Sequence, residues 1–259
     1  MGSLIDDGCG CKTAPHRRVG AQLLARTRDF CAGFFHVEAS EEAHVSEACL
    51  CHGPCFRKTV FCVARLHRAT RTQYEACYTN CHRSNGPAVH AESYLVIDAH
   101  LHAALRHART DDELVLYLTY QPCHRSGGHR RAREQSCTLK LIEFFRRWLA
   151  PRGVRLCVKI CYLYRAHWRG MEPYVPMIAN AREGIRLLMD AGVQLDAMGA
   201  ADWDYLLTHA TPWMRRAWSS TLVPIRAEHM AQRMQMDAFI ADFLDSIRTP
   251  CARAWRPQG

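Results

Sequence analysis

The sequence predicts an α/β protein with a mixed sheet of about five strands flanked by about six helices. Two strand-like runs follow one another early in the chain, and strand-like and helix-like segments then alternate. Hydrophobic residues make up 48% and charged residues 23% of the 259 positions, which is ordinary for a folded chain of this length. A sheet in this order of elements has helices on its faces.

Each element follows from the spacing of its apolar residues. Helical spacing of Leu24, Phe30, Phe34 and Phe35 predicts a first helix that begins at Ala21. Apolar runs bounded by turn-forming residues predict strands at 58–66, 72–79, 113–120, 154–164 and 193–198. Further helices are predicted at 90–106, 137–149, 179–192, 203–209 and 225–247. On the last helix the apolar positions expected to pack into the core are Met230, Met234, Met236, Phe239 and Phe243.

The chain shows no internal repeat and no low-complexity linker, which predicts one domain over residues 22–247. Residues 1–21 are expected to form a flexible N-terminal tail and residues 248–259 a loose C-terminal tail. The N-terminal stretch lacks the apolar core of a secretion signal, and no apolar run is long enough to span a membrane. We therefore expect no membrane association and a location in the cytoplasm, the nucleus or both.

Charge and cysteine content limit the class of partner and the kind of site. The formal net charge is +9, which favours anionic partners, nucleic acid before an acidic membrane surface. Fourteen cysteines in a chain without a secretion signal indicate reduced thiols. In that setting, closely grouped Cys and His residues indicate metal binding or catalysis before disulfides. Cys49, Cys51 and Cys55, with His52, fit no firm zinc template, so they are either a second metal site or reduced thiols.

One constellation has the residue types of a catalytic metal site. His90 lies at the start of one predicted helix, Cys123 follows a predicted strand, and Cys137 begins another helix. Ligands of α/β sheets bind at the carboxyl ends of strands, near helix N-termini that lower thiol pKa values. One imidazole and two thiolates make a three-ligand zinc site with an open fourth position, which is typical of catalytic zinc. Glu92 follows His90 by two residues and can exchange protons there.

The third ligand is open to alternatives, because thirteen residues separate Cys123 from Cys137. His124 and His129 lie in that interval and are rivals of Cys137. A long insertion is compatible with both cysteines binding, since doubling the length of a flexible loop costs only about 0.6 kcal/mol. The inserted segment, "HRSGGHRRAREQS", is either a solvated loop or a contact surface for phosphates.

The segments "HAE" (90–92) and "TYQPC" (119–123) resemble the two zinc-binding motifs of the polynucleotide cytidine deaminases, the family of activation-induced deaminase and the APOBEC proteins. "FRKTVFCVARL", "NGPAVHAE", "KICYLYRAHW" and "GIRLLMDAGVQLDAM" extend the resemblance over roughly residues 22–247. Two departures stand out. The family usually has Cys-x-x-Cys, whereas thirteen residues separate the two cysteines here. Tyr120 and Gln121 replace the family's usual Trp-Ser before Pro-Cys. The long interval between the cysteines resembles a divergent vertebrate branch with an extended loop.

The resemblance implies a cytidine-deaminase-like fold and zinc-dependent hydrolytic deamination of cytidine to uridine in single-stranded polynucleotide, with DNA favoured over RNA. It implies one catalytic Zn²⁺ held by His90, Cys123 and Cys137, with Glu92 as the proton shuttle. Restriction of viruses or mobile elements, programmed mutation and editing are the biological roles it implies. The expected substrate contacts are Asn85, Ala91, Tyr120, Gln121 and Tyr164. The expected contacts to the nucleic-acid backbone are Arg125, Arg130, Arg131 and Arg133.

Three alternatives remain open at this point. The first is cytidine editing in RNA, and the second is deamination of free nucleosides or nucleotides. The third is a nucleic-acid-binding protein that has lost activity and whose zinc is structural. Glu92 speaks against the third, because a structural zinc site does not need a proton shuttle.

Overall fold

The computed structural model describes residues 17–19, 34, 60–80, 89–126, 135–169, 171–209 and 227–248. The strands are β1 Arg17–Arg18, β2 Phe61–Arg68, β3 Arg71–Thr79, β4 Asp112–Tyr120, β5 Arg155–Tyr162 and β6 Gln194–Ala197. The α-helices are α1 Ala91–Val96, α2 Ala99–Arg106, α3 Cys137–Phe144, α4 Val175–Asp190, α5 Ala200–His209 and α6 Ala227–Arg248. Five longer strands and six α-helices in these ranges confirm the predicted α/β class. The two-residue β1 was not predicted and is the outermost strand next to β3.

The sheet has the order β1-β3-β2-β4-β5-β6. β2 pairs antiparallel with both β3 and β4, whereas β4, β5 and β6 pair in parallel. It follows that β3, β4 and β5 all run in one direction. Their last residues, Thr79, Tyr120 and Tyr162, therefore lie at the same edge of the sheet, which we call the carboxyl edge. Three chain segments leave the sheet from this edge.

Helices cover both faces of the sheet, so the central strand β4 is buried on each side. Leu114, Leu116 and Leu118 of β4 belong to the larger core, which contains side chains from α1, α2, α3, α4 and α6. Val115 and Tyr117 belong to a second core on the opposite face, where α5 packs. Burial on both faces explains why β4 is apolar at successive positions instead of alternating with polar residues.

One predicted helix, 90–106, is wrong as a single element. The chain forms α1 and α2 with a break at Ile97 and Asp98. The Asp98 backbone is extended, and its carboxylate accepts a hydrogen bond from the His100 amide at 2.7 Å. Asp is a strong N-cap residue, so it begins a second helix inside a segment whose apolar spacing is continuous.

Two other helices differ from their predicted bounds. The helix predicted at 137–149 is α-helical only to Phe144 and continues as a π-helical turn, Phe145–Leu149. The helix predicted at 179–192 begins earlier, at Val175, because Pro176 suits the first turn of a helix. It is followed by Gly192, whose φ of +88° is a left-handed conformation that favours glycine.

The apolar residues of α6 follow the prediction only in part. Met236 and Phe243 pack against the larger core beside the buried Ile240 and Leu244. Met234 and Phe239 are 66% and 46% exposed, so the expectation that they are core residues is wrong. Amino-acid type alone did not reveal which side of this helix faces solvent.

Several predictions fall outside the described residues. They are the helix that begins at Ala21 apart from the buried Phe34, the group at Cys49, Cys51 and Cys55, and the two tails apart from residues 17–19 and Arg248. The bounds of the domain therefore stay a prediction. Over the ranges that the structure describes, no helix combines the length and the apolar character that crossing a membrane requires.

Candidate metal centre

The carboxyl edge brings His90, Cys123 and Cys137 together. His90 precedes α1, Cys123 follows β4 by three residues, and Cys137 is the first residue of α3. Nδ1 of His90 lies 3.2 Å from Sγ of Cys137 and 3.4 Å from Sγ of Cys123. One donor atom from each residue lies within 4.8 Å of the others, so the group could hold a metal ion.

The separations match those expected for a shared tetrahedral ion. Zinc–nitrogen distances of about 2.0 Å and zinc–sulfur distances of about 2.3 Å place N and S ligands about 3.5 Å apart. One imidazole with two thiols is a soft donor set that suits zinc better than magnesium or calcium. The residues present therefore fit a zinc ion, and they leave one position of a tetrahedron for another ligand.

Backbone hydrogen bonds explain why Cys137 returns to Cys123. The Gln121 amide donates to the Tyr162 carbonyl at 3.1 Å and carries the parallel pairing one residue beyond β4. Pro122 has no amide hydrogen, so the ladder cannot continue there. The Thr138 amide then donates to the Cys123 carbonyl at 3.1 Å, which ties the first turn of α3 to the segment after β4.

Residues 123–126 and 135–137 form an antiparallel pair that we call the loop neck. The Arg125 amide donates to the Gln135 carbonyl at 2.9 Å, and His124 lies opposite Ser136. Ser136 also caps α3, because its Oγ accepts from the Leu139 amide at 3.0 Å. Paired ends of this kind let thirteen residues stand between two ligands without separating them.

His124, one of the rival third ligands, has different neighbours. Its Nδ1 hydrogen-bonds Oγ of Ser136 at 2.9 Å, and its ring is buried. The group that could hold a metal ion contains Cys137 and does not contain His124. The other rival, His129, lies outside the described residues.

The contact between the two thiols shifts their pKa values in opposite directions. The Cys137 thiol hydrogen-bonds the Cys123 sulfur, which lowers the pKa of Cys123 well below its ordinary value and raises the pKa of Cys137 well above it. Burial opposes a charged imidazole at His90, but the hydrogen bond and the negative charge of Cys123 raise its pKa to about 9. The pocket thus already stabilises a thiolate, the form that metals bind.

Glu92 is the buried carboxyl group of this site. It is 4% exposed and lies in the first turn of α1. Burial raises its pKa above the ordinary value, although the charge of His90 and hydrogen bonds from its own amide and Cys137 oppose the rise. A buried carboxyl with a raised pKa beside metal ligands is suited to accept and release a proton.

Two of the expected substrate residues contact each other. The rings of Tyr120 and Tyr164 are half-buried and pack edge-to-face with centroids 6.1 Å apart. The side-chain amide of Gln121 is hydrogen-bonded at both ends to backbone groups of the protein. Its Oε1 accepts from the Tyr164 amide at 3.2 Å, and its Nε2 donates to the Ala181 carbonyl at 3.3 Å. The structure therefore gives Gln121 a bracing role between β4, β5 and α4.

The remaining expected contacts are placed only in part. Ala91 is fully buried as the first residue of α1. Arg125 is exposed, and its backbone belongs to the loop neck. Asn85 and the other three expected backbone contacts, Arg130, Arg131 and Arg133, lie outside the described residues.

Lys140 belongs to the site and was not predicted. Its Nζ donates to Oγ of Ser93 at 2.8 Å, a bond that joins α3 to α1 beside the ligands. Its positive charge acts to lower the pKa of both His90 and Cys137. The only signal in the sequence is its position three residues after Cys137, one turn along the helix.

No protein-family model matches the chain, and a search of curated proteins finds no match.

Proposed function

We propose that this protein deaminates cytidine to uridine by zinc-dependent hydrolysis in single-stranded polynucleotide, with DNA favoured over RNA. One observation carries the proposal. The buried Glu92 carboxyl lies in the same helical turn that follows His90, beside a donor group whose geometry leaves a tetrahedral ion one free position. A purely structural zinc usually has four protein ligands and has no use for a buried carboxyl of raised pKa.

The chemistry needs a nucleophilic water and a group that moves protons. When bound, a zinc ion acts as a Lewis acid and makes water a competent nucleophile near neutral pH. Glu92 accepts a proton from that water at a carboxylate oxygen and donates it to N3 of cytosine. The water oxygen forms a bond to C4 as the C4–N3 double bond becomes a single bond. Glu92 then takes the second proton from the new C4 hydroxyl and passes it to the amino nitrogen, so that a C4–O double bond forms. The C4–N bond breaks, so one water is consumed and one ammonia is released.

Binding of a polynucleotide is supported by charge and by the aromatic pair. Tyr120 and Tyr164 offer ring surfaces against which an unstacked base can pack. The net charge of +9 would attract the phosphates of a strand, which a free nucleoside lacks. Asn85 remains the proposed contact to the nucleotide, and the proposed phosphate contacts are Arg125, Arg130, Arg131 and Arg133.

A reducing compartment, the cytoplasm or the nucleus, fits the proposed chemistry. The six cysteines within the described ranges are all free thiols. Oxidation of Cys123 and Cys137 to a disulfide would remove both sulfur ligands. We therefore propose that the protein works where thiols stay reduced.

The deciding experiment compares wild type with Glu92→Gln on oligonucleotides that contain one cytosine, in DNA and in RNA. Glu183→Gln, a partly exposed position on α4 that pairs with Arg186, is the matched control. We expect uracil from wild type and the control, and a rate about 100- to 10,000-fold lower for Glu92→Gln, the usual contribution of general acid–base catalysis. Zinc content, measured on the same preparations, should be equal in all three proteins.

Three outcomes would contradict the proposal in different ways. Zinc without uracil on either polymer, with oligonucleotide binding retained, indicates a binding protein with a structural zinc. Uracil from RNA alone indicates an RNA-editing enzyme. Activity on cytidine alone, with a substrate affinity that salt does not change, indicates a nucleoside deaminase.

A further inference from the structure

The loop neck is held from outside by the segment after β5 and by α4. Nη1 of Arg165 donates to the Ser126 carbonyl at 2.9 Å. Nδ2 of Asn180 donates to the carbonyl of the neighbouring Arg125 at 3.2 Å. These bonds cross 39 and 55 residues of sequence and meet on consecutive residues of the neck. We call Arg165 and Asn180 the neck clamp.

α4 packs against the loop neck so closely at Gly184 that a side chain there would collide with its neighbours. A Cβ atom added to Gly184 would lie 2.6 Å from Cβ of His124 and 2.9 Å from Oγ1 of Thr138. Real Cβ atoms do not approach others this closely. The helix backbone therefore packs directly against His124 in the neck and against Thr138 just after it, one residue beyond each cysteine.

Arg165 is itself fixed on several sides. Its guanidinium carbon lies 4.8 Å from the ring centre of Tyr164, 5.2 Å from that of Tyr174 and 5.5 Å from that of Trp168. Arginine over aromatic faces is attracted by the ring electrons. The side chain that bonds Ser126 is thus held by three rings that do not belong to the neck.

Backbone conformation also marks this contact. Among the described residues, only Ala69, Arg125 and Arg165 have positive φ without being glycine. Two of the three therefore belong to this contact: Arg125, with φ of +52°, accepts from Asn180, and Arg165, with φ of +64°, is itself a clamp residue. A left-handed conformation costs free energy in such residues and persists where surrounding contacts enforce it.

We propose that Arg165 is a positioning residue of the metal centre. It holds the Ser126 carbonyl, and the clamped neck sets the separation of the Cys123 and Cys137 sulfurs. Two cysteines separated by two residues would be held close by the chain itself. Here the interval is thirteen residues, so side chains from elsewhere in the fold supply that restraint. The inference rests on the proposed zinc site, whose ligands it concerns.

The test measures zinc affinity by competition with a chromophoric chelator for wild type, Arg165→Ala and Arg165→Lys. Arg186→Ala is the matched control, because this exposed arginine pairs with Glu183 and does not contact the neck. Arg165→Ala should bind zinc about 10- to 100-fold more weakly, the usual effect of removing a residue that orients a ligand. Arg165→Lys should recover part of the loss, since lysine keeps the charge but lacks the planar group that stacks on rings.

A second readout needs no metal. Amide exchange at Arg125 and Thr138, whose amides bond Gln135 and Cys123, should be faster in zinc-free Arg165→Ala than in zinc-free wild type. Unchanged zinc affinity in Arg165→Ala would overturn the inference, even if the variant unfolds at a lower temperature. Absence of zinc binding in wild type would instead overturn the proposed function, and the inference with it.

Discussion

Cys137 and His124 both lie close to Cys123, yet the structure gives them different roles. Cys137 belongs to the group of converging donor atoms, whereas Nδ1 of His124 is taken by Ser136. We predict that Cys137→Ser lowers zinc affinity by more than about 100-fold, because even residues that only orient a ligand contribute 10- to 100-fold. His124→Gln changes a neck residue but removes no ligand, so it should lose much less zinc affinity than Cys137→Ser does. Metal analysis after dialysis against a weak chelator measures both.

Cys157→Ser is the control for that comparison, since Cys157 is a buried free thiol on β5 whose sulfur lies near Asp196. It should keep its zinc. If His124→Gln lost the metal while Cys137→Ser kept it, the assigned ligand set would be wrong and the loop neck would have to open to bring His124 to the ion.

The sequence indicated individual site residues where the chemistry of a metal site requires particular residue types at a short spacing. His90, Glu92 and Cys123 were predicted from short motifs, and Cys137 from its place at the start of a predicted helix. The structure brings the three predicted ligands together. Lys140, Arg165 and Asn180 belong to no such motif. Their contacts depend on how α3, α4 and the segment after β5 pack together, which residue type and local spacing do not reveal.

Asp98 is the polar centre of the junction between α1 and α2. The hydroxyls of Tyr74 and Tyr78 each donate to its Oδ2 at 2.6 Å, and Nε of Arg17 donates to the same oxygen. Burial alone would raise the pKa of Asp98, but these donors and the His100 amide lower it below its ordinary value. Because the folded-state pKa is the lower one, the carboxylate stabilises the fold above about pH 4.

We predict that Asp98→Asn lowers the free energy of unfolding at pH 7 by about 2–4 kcal/mol, since it removes the charge that several buried donors face. The difference from wild type should shrink as pH falls through the folded-state pKa of Asp98, where wild type loses the same contribution. Urea denaturation at pH 7 and at about pH 3 tests this, with the exposed Asp204→Asn as the control. An equal difference at both pH values would contradict the carboxylate's role.

At the scale of elements, apolar spacing located the strands and helices better than it located their interruptions. The break at Asp98 and the π-helical turn Phe145–Leu149 both lie inside continuous apolar patterns. The turn belongs to a stretch in which Trp148 stacks on His102 of α2 with ring centroids 4.1 Å apart. A contact of this kind between two helices overrides the local preference for a regular α-helix. The contact exists only in the folded chain, so the sequence pattern does not reveal it.

At the scale of the whole molecule, the directions of the strands explain why the site lies at the carboxyl edge. β3, β4 and β5 run in one direction, so the segments leading to His90, Cys123 and Tyr164 leave the sheet together. The alternation of helices and strands predicted a mixed sheet but not the order of its strands. The antiparallel position of β2 between β3 and β4, which brings His90 to the same edge, follows from the order of strands in the sheet and not from any local pattern.

We expect a single-stranded nucleic acid, with its negatively charged phosphates, to bind at the same edge. The segment between Cys123 and Cys137 begins and ends there, and it contains Arg130, Arg131 and Arg133. Each single-strand phosphate that is neutralised contributes roughly −0.7 to the slope of log affinity against log salt concentration. A comparison of slopes therefore counts phosphate contacts, and it separates a local binding surface from a general effect of the net charge of +9.

We predict that replacing these three arginines together with alanine reduces the magnitude of the slope for a cytosine-free single-stranded oligonucleotide by about 2. The control removes the same charge through Arg106→Ala, Arg109→Ala and Arg155→Ala, which are exposed positions near the opposite edge, where β4 and β5 begin. The control should leave the slope unchanged. Fluorescence anisotropy at several salt concentrations measures both. Equal reductions in the two triple variants would mean that the strand is held by overall charge, and the loop between the cysteines would then lose its assigned part in binding.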